Sequence, residues 1–139
     1  MRNLTEHRTP IQIRFKDVDK MGHVNNANHA TYLELARMMY FEEEVAVKID
    51  WTKKGVILAK VQIDFLVPIQ LEDKVSVLTS CSRVGNKSFE LSHVIVRTEN
   101  GKDIELAKGI SVVVCFDYEK NVTIPVPELW KEKLLRNTK

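Results

Sequence analysis

Apolar and polar positions along this chain fall into two periods. Ile11, Ile13 and Phe15 alternate with Gln12, Arg14 and Lys16, a period of two that predicts a half-buried first strand. From about Ala27 to Ala46 the spacing becomes helical: Ala30, Leu33, Ala36 and Tyr40 share one stripe, and Leu35, Met38 and Met39 widen it. An apolar arc that broad predicts a helix covered on most sides. Thr31 to Glu34 has the form of a capping box, and Asn26 or Asn28 would equally cap the first turn.

From Val56 to Phe116 the period returns to two. Ile57, Ala59, Val61, Ile63, Phe65 and Val67 read as one face, with Lys60, Gln62 and Asp64 opposite. Three more strands carry Val75, Val77, Thr79 and Cys81, then Phe89, Leu91, His93 and Ile95, then Leu106, Ile110, Val112, Val114 and Phe116. Pro68 and the Asp73 region separate the first two of these strands. Val84-Gly85-Asn86-Lys87 marks one hairpin turn, and Asn100-Gly101 a second, of type I′. After Pro125 and Pro127 a short charged helix, roughly Glu128 to Arg136, follows. The order of strand, long helix and four long antiparallel strands predicts an α+β hotdog fold, one antiparallel sheet wrapped around a long central helix. Residues 1–139 are read as a single domain, with no repeat or linker to divide them.

Composition narrows the function. The 139 residues carry 44% hydrophobic and 29% charged side chains, an ordinary globular balance, and a chain of this length buries enough surface for a core without staples. A net charge of +2 with scattered Lys and Arg gives no concentrated basic face for nucleic acid. No stretch approaches the roughly 18 apolar residues of a membrane span, and the first residues lack the apolar run of a signal peptide. Cys81 and Cys115 sit in apolar strand patterns and match no metal-ligand spacing, so buried reduced thiols and a cytoplasmic location are expected, with no metal and no redox cofactor.

Candidate chemistry concentrates in Arg14 to Asn26, between the expected strand and helix. This run holds Asp17, Asp19, His23, Asn25 and Asn26 around Gly22. A strand-to-helix junction presents free backbone N–H groups and the positive end of a helix dipole. Acids, a proton carrier and amides placed together there predict an active site.

Asp19-x-x-Gly22-His23-Val24-Asn25-Asn26, followed by Tyr32, Glu34, Ala36 and Arg37, resembles the 4-hydroxybenzoyl-CoA thioesterase family of hotdog acyl-CoA thioesterases. The His-Val-Asn-Asn portion is similar to acyl-carrier-protein thioesterases of plants and their bacterial relatives. The Arg83-Val-Gly hairpin and Ile124-Pro-Val-Pro-Glu128 extend the likeness over nearly the whole chain. The resemblance implies hydrolysis of an acyl-CoA or acyl-carrier-protein thioester. Asp19 aligns with the catalytic aspartate, acting as nucleophile or as general base on water. His23 and Asn26 are the further catalytic candidates. The acyl-carrier-protein enzymes carry asparagine where Met21 stands, and some bacterial relatives carry histidine where Asn26 stands.

Backbone N–H groups at Gly22, Val24, Asn25 and the helix start are the expected oxyanion and substrate contacts, with Gly22 allowing close approach. Asp17 reads as structural or catalytic, Glu34 and Arg37 as a helix-face pair, and His93 as a core histidine. Arg83, Lys87 and Lys108 are candidate contacts for coenzyme A phosphates, and Gly109 a place where pantetheine passes the sheet. Coenzyme A enters as part of the substrate, not as a cofactor. A non-catalytic acyl-CoA sensor and a hotdog dehydratase are the alternatives; the intact Asp19 run favours the hydrolase. Unpaired strand edges and the helix's apolar surplus, together with the resemblance, predict a homodimer or homotetramer.

Overall fold

The structure, a computed structural model, describes residues 6–45 and 50–136. Strand β1 (His7–Ile11) leads through a 3-10 turn (Phe15–Asp17) to helix α1 (Asn26–Tyr40), which widens into a π-helical turn over Phe41–Val45. Four long strands follow: β2 (Lys54–Phe65), β3 (Val75–Val84), β4 (Ser88–Glu99) and β5 (Lys102–Asp117). The short β6 (Val122–Thr123) and helix α2 (Glu128–Arg136) complete the order. The strands form one antiparallel sheet in the order β1-β3-β4-β5-β2, with β6 beside β5, and α1 packs on its inner face. This is the hotdog arrangement that the order of periods predicts.

The expected first strand is displaced. β1 is His7–Ile11, with His7, Thr9 and Ile11 turned inward, and the chain has left the sheet by Phe15, which is 82% exposed. Asp17 causes the exit: its N–H donates to the Arg14 carbonyl, and its carboxylate takes the Arg14 N–H, folding Arg14 to Asp17 into a turn. His7 and Thr9 hid β1 from a reading based on apolar periodicity, because polar side chains fill its inward positions. β1 is also an edge strand and includes Pro10, which has no N–H to offer.

Asn25 caps α1, its side chain accepting the Ala27 N–H at 2.9 Å, so the cap is neither the Thr31 box nor Asn26 nor Asn28. The buried stripe runs His29, Leu33, Ala36 and Tyr40, joined by Tyr32; Ala30 is exposed, as are Leu35 and Met38. Within one chain the helix is therefore covered on one side only. Ala46, the expected helix end, lies outside the described residues.

β3 and β4 face inward with Val75, Val77, Thr79 and Cys81 and with Phe89, Leu91, His93 and Ile95, all buried as expected. β2 and β5 depart from a single alternation because each carries a bulge. In β2, Leu58 pairs with Val113 and Lys60 with Val112, leaving Ala59 as the extra residue. Val56 and Leu58 face inward before it, Val61, Ile63 and Phe65 after it, and Ile57 leaves the expected row. In β5 the pairing jumps from Ala107 to Glu105 opposite Ile95 and Val96, so Leu106 bulges. The inward set becomes Gly109, Ser111, Val113 and Cys115, and Ile110, Val112, Val114 and Phe116 lie on the outer face. A one-residue insertion reverses every later side chain.

The core has two apolar halves. Leu33, Ala36, Ile69, Val77, Ile95 and Leu106 belong to one; Tyr40, Phe41, Phe89, Leu91 and Cys115 belong to the other. Between them lie three buried polar side chains, Thr79, His93 and Ser111, one each on β3, β4 and β5. Cys81 and Cys115 are buried and unbridged, and burial pushes the Cys115 thiol up to about 12. Among the described residues no helix is long and apolar enough to cross a membrane.

Candidate active site

The loop from Asp17 to Asn26 is held almost entirely by its own backbone. Val18 and Val24 bridge antiparallel, the Asp19 N–H donates to the His23 carbonyl at 2.7 Å, and the Gly22 N–H donates to the Asp19 carbonyl at 3.0 Å. Gly22 sits at φ +81°, a left-handed conformation that side chains resist, and this closes the turn. The Asp19 carboxylate lies on the exposed outer rim of this turn. Its Oδ1 accepts the Met21 N–H at 2.9 Å and the His23 N–H at 3.2 Å. The loop is then stitched to the fold: Val24 N–H donates to the Ile69 carbonyl, and His23 bridges Gln70.

The two aspartates have opposite surroundings. Asp17 is 1% exposed and its oxygens are engaged: the Tyr32 hydroxyl donates to Oδ2 at 2.8 Å, the Arg14 N–H to Oδ2 at 3.1 Å, and the Arg14 guanidinium to Oδ1 at 3.1 Å. Its carbonyl accepts the Asn25 N–H and the Asn28 side-chain amide, both at 2.9 Å. Burial pushes the Asp17 carboxyl up, but the hydrogen bonds from Arg14 and Tyr32 outweigh it and hold the group below the usual carboxylate value. Asp17 is an anchor for the loop.

The expected oxyanion donors are placed differently from the sequence reading. The N–H groups of Gly22, Val24 and Asn25 are all bonded within the chain, to Asp19, Ile69 and Asp17, and Val24 is buried in the core. The Asn26 N–H, at the first position of α1, takes no partner among the described residues. Its side chain is exposed. An open amide at a helix N-terminus is a receptor for negative charge.

His29 escaped the sequence reading, although it stands four residues before Leu33 on the buried stripe. It is buried with its Nδ1 unpartnered, its ring edge-on to Phe65 at 4.8 Å between centroids. Burial lowers its pKa.

The weaker candidates scatter. Gly109 lies beneath Leu33, whose Cδ1 would stand 2.7 Å from an added Cβ, so close packing of helix on sheet takes the gap suggested for pantetheine. Arg83 and Lys87 lie at the β3–β4 hairpin, the opposite end of β3 from Ile69 and Gln70, to which the Asp19 loop is bonded. Lys108 is on the outer face, beside Glu105 at 3.6 Å and opposite Asp64. Glu34 and Arg37 form no ion pair; Arg37 turns inward and donates to Ser111 Oγ at 3.1 Å. No group of three His, Cys, Asp or Glu among the described residues has the placement of a metal site.

Residues 13–134 match the model of the thioesterase-like superfamily. Long-chain acyl-CoA thioesterase FadM of Escherichia coli (strain K12) is 26% identical over 129 residues, 91% of this chain and 95% of that protein. A chloroplastic acyl-acyl carrier protein thioesterase of Arabidopsis thaliana is 27% identical over 109 residues, 76% of this chain; the match spans only 57% of that longer protein. A thioesterase of Thermus thermophilus, solved with coenzyme A and zinc, is 34% identical with a TM-score of 0.77, over 91% of this chain and 95% of that one. The fold, the Asp19 loop and these matches agree: the chain belongs to the thioesterase-like superfamily.

Proposed function

We propose that this protein hydrolyses acyl-CoA thioesters, with Asp19 as the reacting carboxylate. The observation that carries the reading is the contrast between the two aspartates: Asp17 is buried and engaged, and Asp19 is exposed on a loop its own backbone makes rigid. A fixed, solvent-facing carboxylate can attack the thioester carbonyl, forming a mixed anhydride as the thiolate leaves, which water then cleaves to the free acid and the restored carboxylate, or it can deprotonate a water that attacks the thioester directly. The oxyanion formed either way is received by the Asn26 N–H with the α1 dipole behind it. His23, on the same turn, donates a proton to the departing thiolate and regains one that the hydrolytic water gives up.

Assembly follows from the edges. β2 is an edge strand whose Leu58, Val61 and Phe65 are exposed, and the uncovered Leu35 and Met38 of α1 add to the apolar surface left bare in one chain. Two copies joined along β2 would cover both and set each Asp19 loop beside the partner's strand. Such a dimer would remain a dimer in sedimentation at assay concentration; a fully active monomer would refute it.

The test is turnover of a panel of acyl-CoAs, and the same acyl groups on carrier protein, by the wild type and Asp19→Asn. Loss of hydrolysis with an unchanged melting curve is expected. Near wild-type turnover by Asp19→Asn overturns the assignment, and faster hydrolysis of the carrier-protein series moves the substrate to that class.

A further inference from the structure

A cavity of about 290 Å³ opens between the latter half of α1 and the first half of β2. It lies about 16 Å along α1 from Asn26 of the same chain, at ~1.5 Å per residue, and its Met38 and Leu58 rim is part of the surface that the proposed dimer brings together, so it opens at that junction. Its walls are Phe41, Trp51, Leu58, Phe89 and Leu91, and among the residues lining it Arg37 is the lone cation. At roughly 30 Å³ per heavy atom of liquid-like packing, the space suits a ligand of on the order of ten heavy atoms.

Arg37 is half-buried and forms no ion pair among the described residues. Burial lowers its pKa and Glu34 raises it, but Glu34 is exposed at the rim. The guanidinium is instead held from behind. It donates to Ser111 Oγ, which lies 2.9 Å from His93 Nε2, and His93 Nδ1 lies 3.0 Å from Thr79 Oγ1. The chain is satisfied when Ser111 donates to a neutral His93 and the Nδ1–H donates to Thr79. Three buried polar side chains across three strands thus fix one side of the guanidinium. A guanidinium has five N–H donors, and the bond to Ser111 uses one.

We propose that this cavity binds an apolar ligand ending in a carboxylate, the apolar body lying against Phe41, Trp51 and Phe89 and the carboxylate received by Arg37. A planar fork of donors matches a carboxylate with two parallel hydrogen bonds. Arg37 is half-buried with no ion pair among the described residues, and a carboxylate bound inside the cavity gains from pairing with it away from bulk water. The site does not depend on hydrolysis at Asp19.

Calorimetry with decanoate and 1-decanol as probes tests it without any turnover, so failure here and failure at Asp19 are separately visible. The wild type is expected to bind decanoate at least 10-fold more tightly than decanol. Arg37→Met should erase that preference and Arg37→Lys should keep part of it. Glu34→Gln, which removes a competing carboxylate from the rim, should tighten decanoate alone and keeps the test decisive if Arg37→Met fails to fold. Equal binding of the two probes by the wild type, a preference unchanged in Arg37→Met, or no gain in Glu34→Gln overturns the proposal.

The carboxylate has two possible sources, the free acid released by hydrolysis and the far end of a dicarboxylic acyl thioester. An Arg37-dependent preference for decanedioyl-CoA over decanoyl-CoA assigns the site to substrate. Arg37-dependent inhibition by decanoate assigns it to the released acid. Arg37-independence of both counts against the site.

Discussion

The Tyr32 hydroxyl donates a 2.8 Å hydrogen bond to Asp17 Oδ2, tying the second turn of α1 to the loop that presents Asp19. Burial and the Asp17 charge raise the Tyr32 pKa, so the hydroxyl stays protonated and remains a donor throughout the working range. Tyr32→Phe leaves a buried carboxylate short of one donor, a loss of about 1–3 kcal/mol. The folded Asp17 carboxyl titrates below the unfolded one. Its contribution to stability is therefore complete above about pH 4 and is lost as pH falls through the folded pKa. Urea unfolding of wild type and Tyr32→Phe from pH 3 to 7 should show the variant weaker across the neutral range and less sensitive to acid.

His93 gives a second pH signature, at higher pH. Burial, and after it the Arg37 charge, push its pKa down to about 3 from 6.5. The folded state holds His93 neutral while the unfolded chain protonates it. Its contribution is whole above pH 6.5 and falls between there and pH 3 by up to about 1.4 kcal/mol per pH unit. His93→Gln should flatten the wild-type decline in unfolding free energy over that window; an unchanged slope would show that the histidine is protonated in the fold.

Gly109 and Leu33 are a packing pair. An added Cβ at position 109 meets Leu33 Cδ1 at 2.7 Å, and Gly109→Ala should cost about 1–3 kcal/mol by overpacking. Pairing it with Leu33→Val, which shortens the opposing side chain, should recover part of the loss in a denaturation cycle. Strict additivity would mean the two do not meet.

His23→Ala should lower acyl-CoA turnover by about 10²–10⁴-fold if the ring carries the proton to the leaving thiolate. The effect should be smaller for substrates with more acidic thiols, which leave without protonation. A turnover within a few-fold of wild type would restrict His23 to its backbone bridge with Gln70.

Much of the fold was legible because β3 from Val75 to Cys81 and β4 from Phe89 to Ile95 each keep one inward row, with the extra residue of β3, Ser82, falling only after it, and Asn100-Gly101 takes the two positive φ angles, 52° and 76°, that its type I′ reading requires. The C-terminal helix begins and ends where its charge pattern and the preceding prolines place it. β2 and β5 were misread at Ala59 and Leu106, since one inserted residue leaves composition unchanged and inverts the face. β1 was hidden by His7 and Thr9, which fill inward positions with side chains that an apolar pattern ignores. The Asp19 loop stood out as a cluster of residue types. Which aspartate is buried was invisible, because that depends on Tyr32, fifteen residues along the chain, and on how α1 lies over the turn.

The two edges of the sheet are not equivalent. β1 includes Pro10, and a strand lacking that amide is a poor template for another, whereas β2 has no proline. Strand-by-strand growth of the sheet is therefore favoured on one side alone. If two copies meet along β2, the faces left outward are both β1, and polymerisation into a fibre has no second site to use. Pro10 acts as a stop on sheet extension at the edge opposite the one through which two copies would join.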